Sequence, residues 1–258
     1  MKRAVLLVSF GASHDDSRRL TLDALAEDFK AEFPEAVIAQ AYTSVFIRKA
    51  LAKRGIHIDS LTEALERLAE EGMEEVLVQP TYMTPGEEYE QKVLAVVPSY
   101  KDRFKRLTVG EPAFAREEDY AKNLLAICQS IFLPRGTDLV LLGHGSPHRH
   151  NPVYERLQQE IDAQGLPIHV GVLESTDTPD FDVVLKRLQK REAKEVLLAP
   201  LLLTAGMHVE RDLAGEDETS WKSRLTQAGF AVSTIVQGLG ESPYFRAIYI
   251  DKARRLLG

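Results

Sequence analysis

The chain has one cysteine in 258 residues, no block of basic side chains, no apolar run of membrane-spanning length and no glycine-rich nucleotide loop. Each shortage excludes something. The single thiol, Cys128, cannot form a disulfide framework, a CxxC metal knuckle or a cysteine-ligated cluster within one chain. In "AKNLLAICQSIFL" it reads as a packing residue of an amphipathic helix. The longest apolar runs, "AVLLVSF" and "EVLLAPLLL", fall well short of the roughly 18 to 20 residues that cross a bilayer. The start, "MKRAVLLVSFGAS", is too short for a secretory signal and runs into charged "HDDSRR", so it reads as the first buried strand of a cytoplasmic protein. Lys and Arg number 32 against 39 Asp and Glu, a net charge of −7 spread along the chain, which disfavours nucleic acid and anionic membranes as partners. No G-x-G-x-x-G follows the first strand and G-x-x-x-x-G-K-[ST] is absent, so dinucleotide and P-loop chemistry are disfavoured.

What is present is an alternation. Short β-branched apolar runs predict strands at 3–9, 36–41, 75–79, 106–110, 138–142, 168–173, 195–199 and 231–236. Stretches of helical period lie between them, at about 15–32, 60–72, 87–98, 115–132, 151–164, 179–191, 217–228 and 243–256. The expected fold is α/β: two similar lobes, each a four-stranded parallel sheet flanked by helices, with a cleft between them. Pro134 and Gly136 in "LPRGTD" suggest the join, giving lobes at 1–133 and 134–258.

The halves also match residue by residue. "EVLVQPTYMTPGEEYE" (75–90) and "EVLLAPLLLTAGMHVE" (195–210) share Glu, Val, Leu, Pro, Thr, Gly and Glu at one constant offset, the mark of a duplication. "VSFGAS" (8–13) corresponds to "LGHGSP" (142–147), and segment 38–44 to segment 170–176. All are strand ends followed by turns, where open α/β sheets gather ligands. With one residue of play in the pairing of 38–44 with 170–176, Phe10 faces His144, Thr43 faces Glu174 and Glu88 faces His208. At three strand ends the second lobe therefore carries a metal-capable side chain. Two imidazoles and a carboxylate at one rim suit a divalent first-row cation with coordination positions left open. Taken singly, each could instead be a hydrogen-bonded loop residue or a helix cap.

Two neighbouring features invite other readings. His148 and His150 lack the strand-end position and lie where "NPVYERLQQE" enters a helix, with Asn151 as N-cap and Pro152 first in the helix. Ser146 in "GHGSP" fails the nucleophile-elbow pattern at its final glycine, which disfavours a serine hydrolase.

"VSFGAS", "GHGS" with His144, "ES" with Glu174, "LTAGMHVERD" with His208, "SWK" (220–222) and "GLGESP" (238–243) together make the chain resemble the class II tetrapyrrole chelatases. Within that family it is most similar to the anaerobic cobaltochelatases that act on sirohydrochlorin in cobalamin biosynthesis. The motifs cover nearly the whole chain at similar spacing. The resemblance implies a two-lobed fold and insertion of a divalent metal into a porphyrin-like ring without ATP or nucleotide. Co2+ is then the substrate metal, with Fe2+ and Ni2+ as rivals that histidine and carboxylate ligands accept equally.

Carried over by motif, His144, Glu174 and His208 match the family's metal site, and Glu88 lies in a stretch that the family places close to the macrocycle. A free-base ring loses two pyrrole N–H protons as the metal enters, and neutral imidazoles can either hold the metal or take a proton. Which of His144 and His208 does which is undecided by sequence, with Glu174 orienting them and balancing charge. Phe10 and Tyr89 are candidate walls for the flat ring, packing in the lobe core being the alternative. The ring's carboxylates need local donors, for which Arg48, Lys92, His148, Arg149 and Arg211 are candidates. A non-catalytic metal or tetrapyrrole carrier on the same fold is the rival class, against which the intact trio argues. The sequence leaves the oligomeric state open, a homo-oligomer included.

Overall fold

Residues such as Ala4–Val8 and Val76–Val78 are screened from solvent on both faces of their strands. Such strands must be covered by helices on both sides, which is the condition for an all-parallel sheet with helical crossovers. The computed structural model describes residues 2–145, 152–174, 177–206 and 209–257, the side chains of Val209 and Glu210 excepted. It contains two four-stranded parallel sheets of the same topology.

In the first, β1 (Arg3–Ser9), β2 (Ala36–Tyr42), β3 (Glu75–Pro80) and β4 (Arg106–Val109) lie in the order β2-β1-β3-β4. In the second, β5 (Thr137–Gly143), β6 (Ile168–Val172), β7 (Glu195–Pro200) and β8 (Ala231–Thr234) lie in the order β6-β5-β7-β8. All eight expected strands form, with ends within two residues of those the sequence predicts. In each sheet the chain winds one way from the first strand to the second and then crosses back, so a topological switch point lies between β1 and β3 and between β5 and β7.

The helix Leu61–Glu70 covers one face of the first sheet with Leu61, Ala64, Leu65 and Leu68. A capping box of Ser60 and Glu63 starts it. In the second sheet Phe181, Val184 and Leu188 of the helix Phe181–Lys190 do the same work, joined by Trp221 and Leu225. Two local expectations change. The segment Val45–Ala52 is a helix where the periodicity predicts none, its N-cap Ser44 accepting from Ile47 N–H at 3.3 Å. The predicted helix 87–98 is broken, and the chain continues as a 3-10 stretch at Val97–Arg103 with Pro98 in its first turn.

The expected boundary at 133/134 is corrected as well. One compact unit comprises 1–115 with 240–258, and the other 116–239. The helix Glu117–Ser130 belongs with the second sheet, where Arg156 stacks over Tyr120 and pairs with Glu117. The C-terminal helix Pro243–Leu257 returns to the first, where the buried Tyr249 hydroxyl donates to the Thr81 and Tyr82 carbonyls, each at 3.2 Å. Arg246 and Arg254 also pair with Asp28 and Glu32 there. Burial of these apolar faces, rather than the Pro–Gly punctuation, decides where each unit ends. Among the described residues no helix is long and apolar enough to cross a membrane.

A buried polar cluster in the second unit makes stability depend on pH. His169 Nε2 donates to Asp138 Oδ2 at 2.8 Å, and Arg191 Nε donates to the same oxygen at 2.7 Å. His169 Nδ1 is buried with no hydrogen-bond partner among the described residues. Burial holds the His169 pKa below the ordinary 6.5, outweighing the pull of Asp138 in the other direction. The native state thus keeps this imidazole neutral while the unfolded chain takes a proton below pH 6.5. Its contribution is complete above that pH and is lost as pH falls toward the lower native value. Thermal unfolding between about pH 7 and 5 should show a falling midpoint that flattens in His169→Gln. Parallel curves for the two proteins would remove His169 from this account.

Candidate functional site

β5, β6 and β7 end side by side, Gly143 paired with Val172 and Leu142 with Pro200. His144 leaves the end of β5, Glu174 lies two residues past β6, and the segment toward His208 leaves β7. The two histidine-bearing segments thus start from β5 and β7, on either side of the switch point of the second sheet.

Backbone hydrogen bonds couple the first two residues. Leu173 N–H donates to the Gly143 carbonyl and Glu174 N–H to the His144 carbonyl, both at 2.9 Å. His144 is exposed and Glu174 half-buried. Nδ1 of His144 donates to the Gly145 carbonyl at 3.2 Å, since a carbonyl can only accept, and this assigns the lone pair of the neutral ring to Nε2. Gly145 has φ +86°, and a Cβ on it would come within 2.9 Å of Glu174 Cβ, so a glycine lets the two loops approach. Its N–H donates to the Tyr154 hydroxyl at 3.2 Å. Burial raises the pKa of that phenol, opposed by this bond. Tyr154 was not singled out from sequence: three residues into the helix Pro152–Ala163, it reads as an ordinary apolar-face position.

His208 lies outside the described residues, as do His148, Arg149 and His150. The chain around it is fixed at both sides. Leu201 N–H donates to the Leu142 carbonyl at 2.8 Å, and a π-helical turn begins at Val209. Among the described residues no three His, Cys, Asp or Glu side chains form a metal-binding group. The groove of about 390 Å3 in this unit lies elsewhere, lined by Cys128, Phe132, Leu139 and Ile168 toward the amino ends of β5 and β6.

The first unit repeats the framework with different side chains. Thr43 N–H donates to the Ser9 carbonyl at 2.9 Å and Ser44 N–H to the Phe10 carbonyl at 3.2 Å, mirroring Leu173 and Glu174. Phe10 is therefore the counterpart of His144, as expected, but Glu174 corresponds to Ser44 and Thr43 to Leu173. The one-residue slip arises because only hydrogen-bond register, which the sequence comparison lacked, fixes how far past the strand each loop residue stands.

Phe10 is 49% exposed at the end of β1, open to an apolar ligand. Tyr89 is not: it is 8% exposed in the first core, its hydroxyl donating to the Gly110 carbonyl at 3.0 Å, which corrects its reading as a ring wall. Glu88 is half-buried and accepts from Thr43 Oγ1 at 3.3 Å. Among the candidate carboxylate holders, Arg48 pairs with Glu63 at 3.2 Å and Arg211 with Asp212 at 2.6 Å, so both have internal partners. Lys92 is exposed on the π-helical turn Glu90–Leu94.

Residues 3–257 match the family model described as cobalt chelatase (CbiK). A sirohydrochlorin cobaltochelatase of Salmonella typhimurium is 36% identical over 259 aligned positions, covering 100% of this chain and 97% of the relative. The sirohydrochlorin cobaltochelatase CbiKC of Nitratidesulfovibrio vulgaris is 32% identical, covering 97% of this chain and 89% of that one. Among solved structures, SirB from Bacillus subtilis with Fe3+ superposes with a TM-score of 0.66 at 17% identity, covering 99% of this chain and 95% of SirB. That likeness shows the shared fold.

Proposed function

Because the chain belongs to the CbiK family of cobalt chelatases, we propose that it inserts Co2+ into a sirohydrochlorin-type tetrapyrrole, releasing two protons without ATP, as a cytoplasmic step of cobalamin biosynthesis. The observation that carries this reading is the 2.9 Å backbone bond from Glu174 N–H to the His144 carbonyl, which couples the loop that bears an imidazole to the loop that bears a carboxylate at the carboxyl end of the second sheet. His208 completes the set in this reading.

The chemistry asks for a holder that releases its metal. Neutral imidazoles of His144 and His208 offer nitrogen donors, and Glu174 adds negative charge that favours both the cation and an imidazolium formed by proton uptake. A mixed nitrogen and oxygen set without thiolate accepts Co2+, Fe2+ and Ni2+ and leaves coordination positions for the ring. Loose holding suits the task, because only interactions stronger in the transition state than in the ground state speed the transfer. Phe10 offers an exposed aromatic face to the macrocycle, and Lys92 a cation to its carboxylates.

The test is a metal panel. The purified protein is mixed with sirohydrochlorin and Co2+, Fe2+ or Ni2+, with and without ATP, and insertion is followed by the absorption spectrum. Co2+ insertion should outpace the protein-free control and ignore ATP. A faster rate with Fe2+ or Ni2+ would reassign the metal, and no acceleration with any metal would favour the carrier reading.

A further inference from the structure

Three polar side chains of the first unit form a chain ending on Glu88. The Tyr82 hydroxyl lies 2.9 Å from Thr43 Oγ1, and Thr43 Oγ1 lies 3.3 Å from Glu88 Oε2. An ionised carboxylate only accepts, so Thr43 donates to Glu88 and, having one proton, accepts from Tyr82. The Ser9 carbonyl competes for the same proton at the longer distance of 3.4 Å. Burial holds the Tyr82 phenol well above the ordinary tyrosine range, opposed by the Thr43 bond and reinforced by the Glu88 charge, so it serves as a donor that keeps its proton.

The repeat shows that the fold does not require these hydroxyls. Leu173 stands where Thr43 stands, each donating its N–H to the end of the adjacent central strand at 2.9 Å. Leu201 N–H on the Leu142 carbonyl mirrors Thr81 N–H on the Val8 carbonyl, which puts Leu202 at the position of Tyr82. The second unit builds the same strand ends with leucine at both places. The hydroxyls thus answer to something other than the framework, and what they touch is a carboxylate at the carboxyl end of the first sheet.

We infer that Thr43 and Tyr82 are positioning residues that hold Glu88 as an acceptor for a pyrrole N–H proton of the tetrapyrrole. This rests on the chelatase reading above. The pyrrole N–H bond breaks, the proton passes to a Glu88 carboxylate oxygen, and the electron pair stays on nitrogen to bind the metal. The second pyrrole proton passes to solvent water, so two protons leave as one divalent cation enters. The Thr43 bond fixes the carboxylate in the half-buried loop, where a swinging side chain would lose the orientation on which proton transfer depends.

The experiment is a double-mutant cycle on the full chain, with kcat and KM for sirohydrochlorin and Co2+ insertion measured throughout. Thr43→Val should lower kcat about 10-fold with little change in KM, Thr43→Ser should restore most of it, and Tyr82→Phe should act in the same direction more weakly. On a Glu88→Gln background, Thr43→Val and Tyr82→Phe should have no further effect, because the group they position is gone. Should Thr43→Val fail to fold, the Tyr82→Phe cycle decides alone. Equal losses with and without Glu88→Gln, or a fully active Glu88→Gln, would overturn the inference while leaving the chelatase reading intact. A wild-type chain that inserts no metal would overturn both.

Discussion

His144→Ala and His208→Ala should each lower the rate of Co2+ insertion by about 100-fold or more while the protein folds normally. His144 is exposed beyond the end of β5, outside the cluster of Val140, Leu142, Val184 and Trp221 that holds the unit together, so its truncation leaves the core intact. What it removes is a nitrogen donor at a strand end where the first unit has Phe10, a side chain that cannot ligate. His208 carries the same expectation from its place after β7, at the offset that sets it against Glu88. Insertion rates together with thermal unfolding separate lost chemistry from lost structure. His148→Ala and His150→Ala should lose little. If that pair proved the damaging one, the site would have been misplaced within the "GHGSPHRHNP" stretch.

Gly145→Ala should cost both stability and activity. At φ +86° a side chain meets the left-handed backbone penalty of about 1–2 kcal/mol. Its Cβ would also press on Glu174 Cβ at 2.9 Å, and overpacking of that kind costs about 1–3 kcal/mol. Relief requires the His144 loop and the Glu174 loop to part, lengthening the backbone bond that couples them. Co2+ binding and insertion should therefore fall more than the loss of stability alone explains. Gly11→Ala is the matched control: it has φ +110° and a Cβ contact with Tyr42 of 2.7 Å at the counterpart position of the first unit, in a loop that carries neither His144 nor Glu174. It should destabilise the chain while leaving Co2+ binding at the His144 loop unchanged. Equal losses of Co2+ binding in the two variants would mean that Gly145 serves the fold alone.

The strands were legible because fully buried strands leave continuous apolar runs, and "RAVLLVS" or "EVLLAP" can form little else between turn signals. The helix Val45–Ala52 was not, because its eight residues follow a strand so closely that "VFIRKALA" gives no clean helical stripe, and only the Ser44 cap marks its start. The unit boundary was misread because punctuation at Pro134 and Gly136 is local, whereas the return of Tyr249 to the first core is a contact across the sequence. The site divides in the same way. His144 and Phe10 were matched by the turn motif itself. The slip that set Thr43 rather than Ser44 against Glu174 could be resolved only by the hydrogen bonds to Ser9 and Phe10. An aromatic beside Glu88 looks available in sequence, so Tyr89 reads equally as ring wall or core, and its burial in the first core decides for the latter. The role of Thr43 emerged only once its hydroxyl was seen against Glu88 and Tyr82.

The most direct test of the metal site is X-ray absorption at the cobalt edge of the protein loaded with one equivalent of Co2+, for the wild type and His144→Ala. The wild type should show a mixed nitrogen and oxygen shell with the multiple-scattering signature of imidazole, and the variant should lose one imidazole. An all-oxygen shell, or an imidazole count unchanged by His144→Ala, would contradict His144 as a ligand.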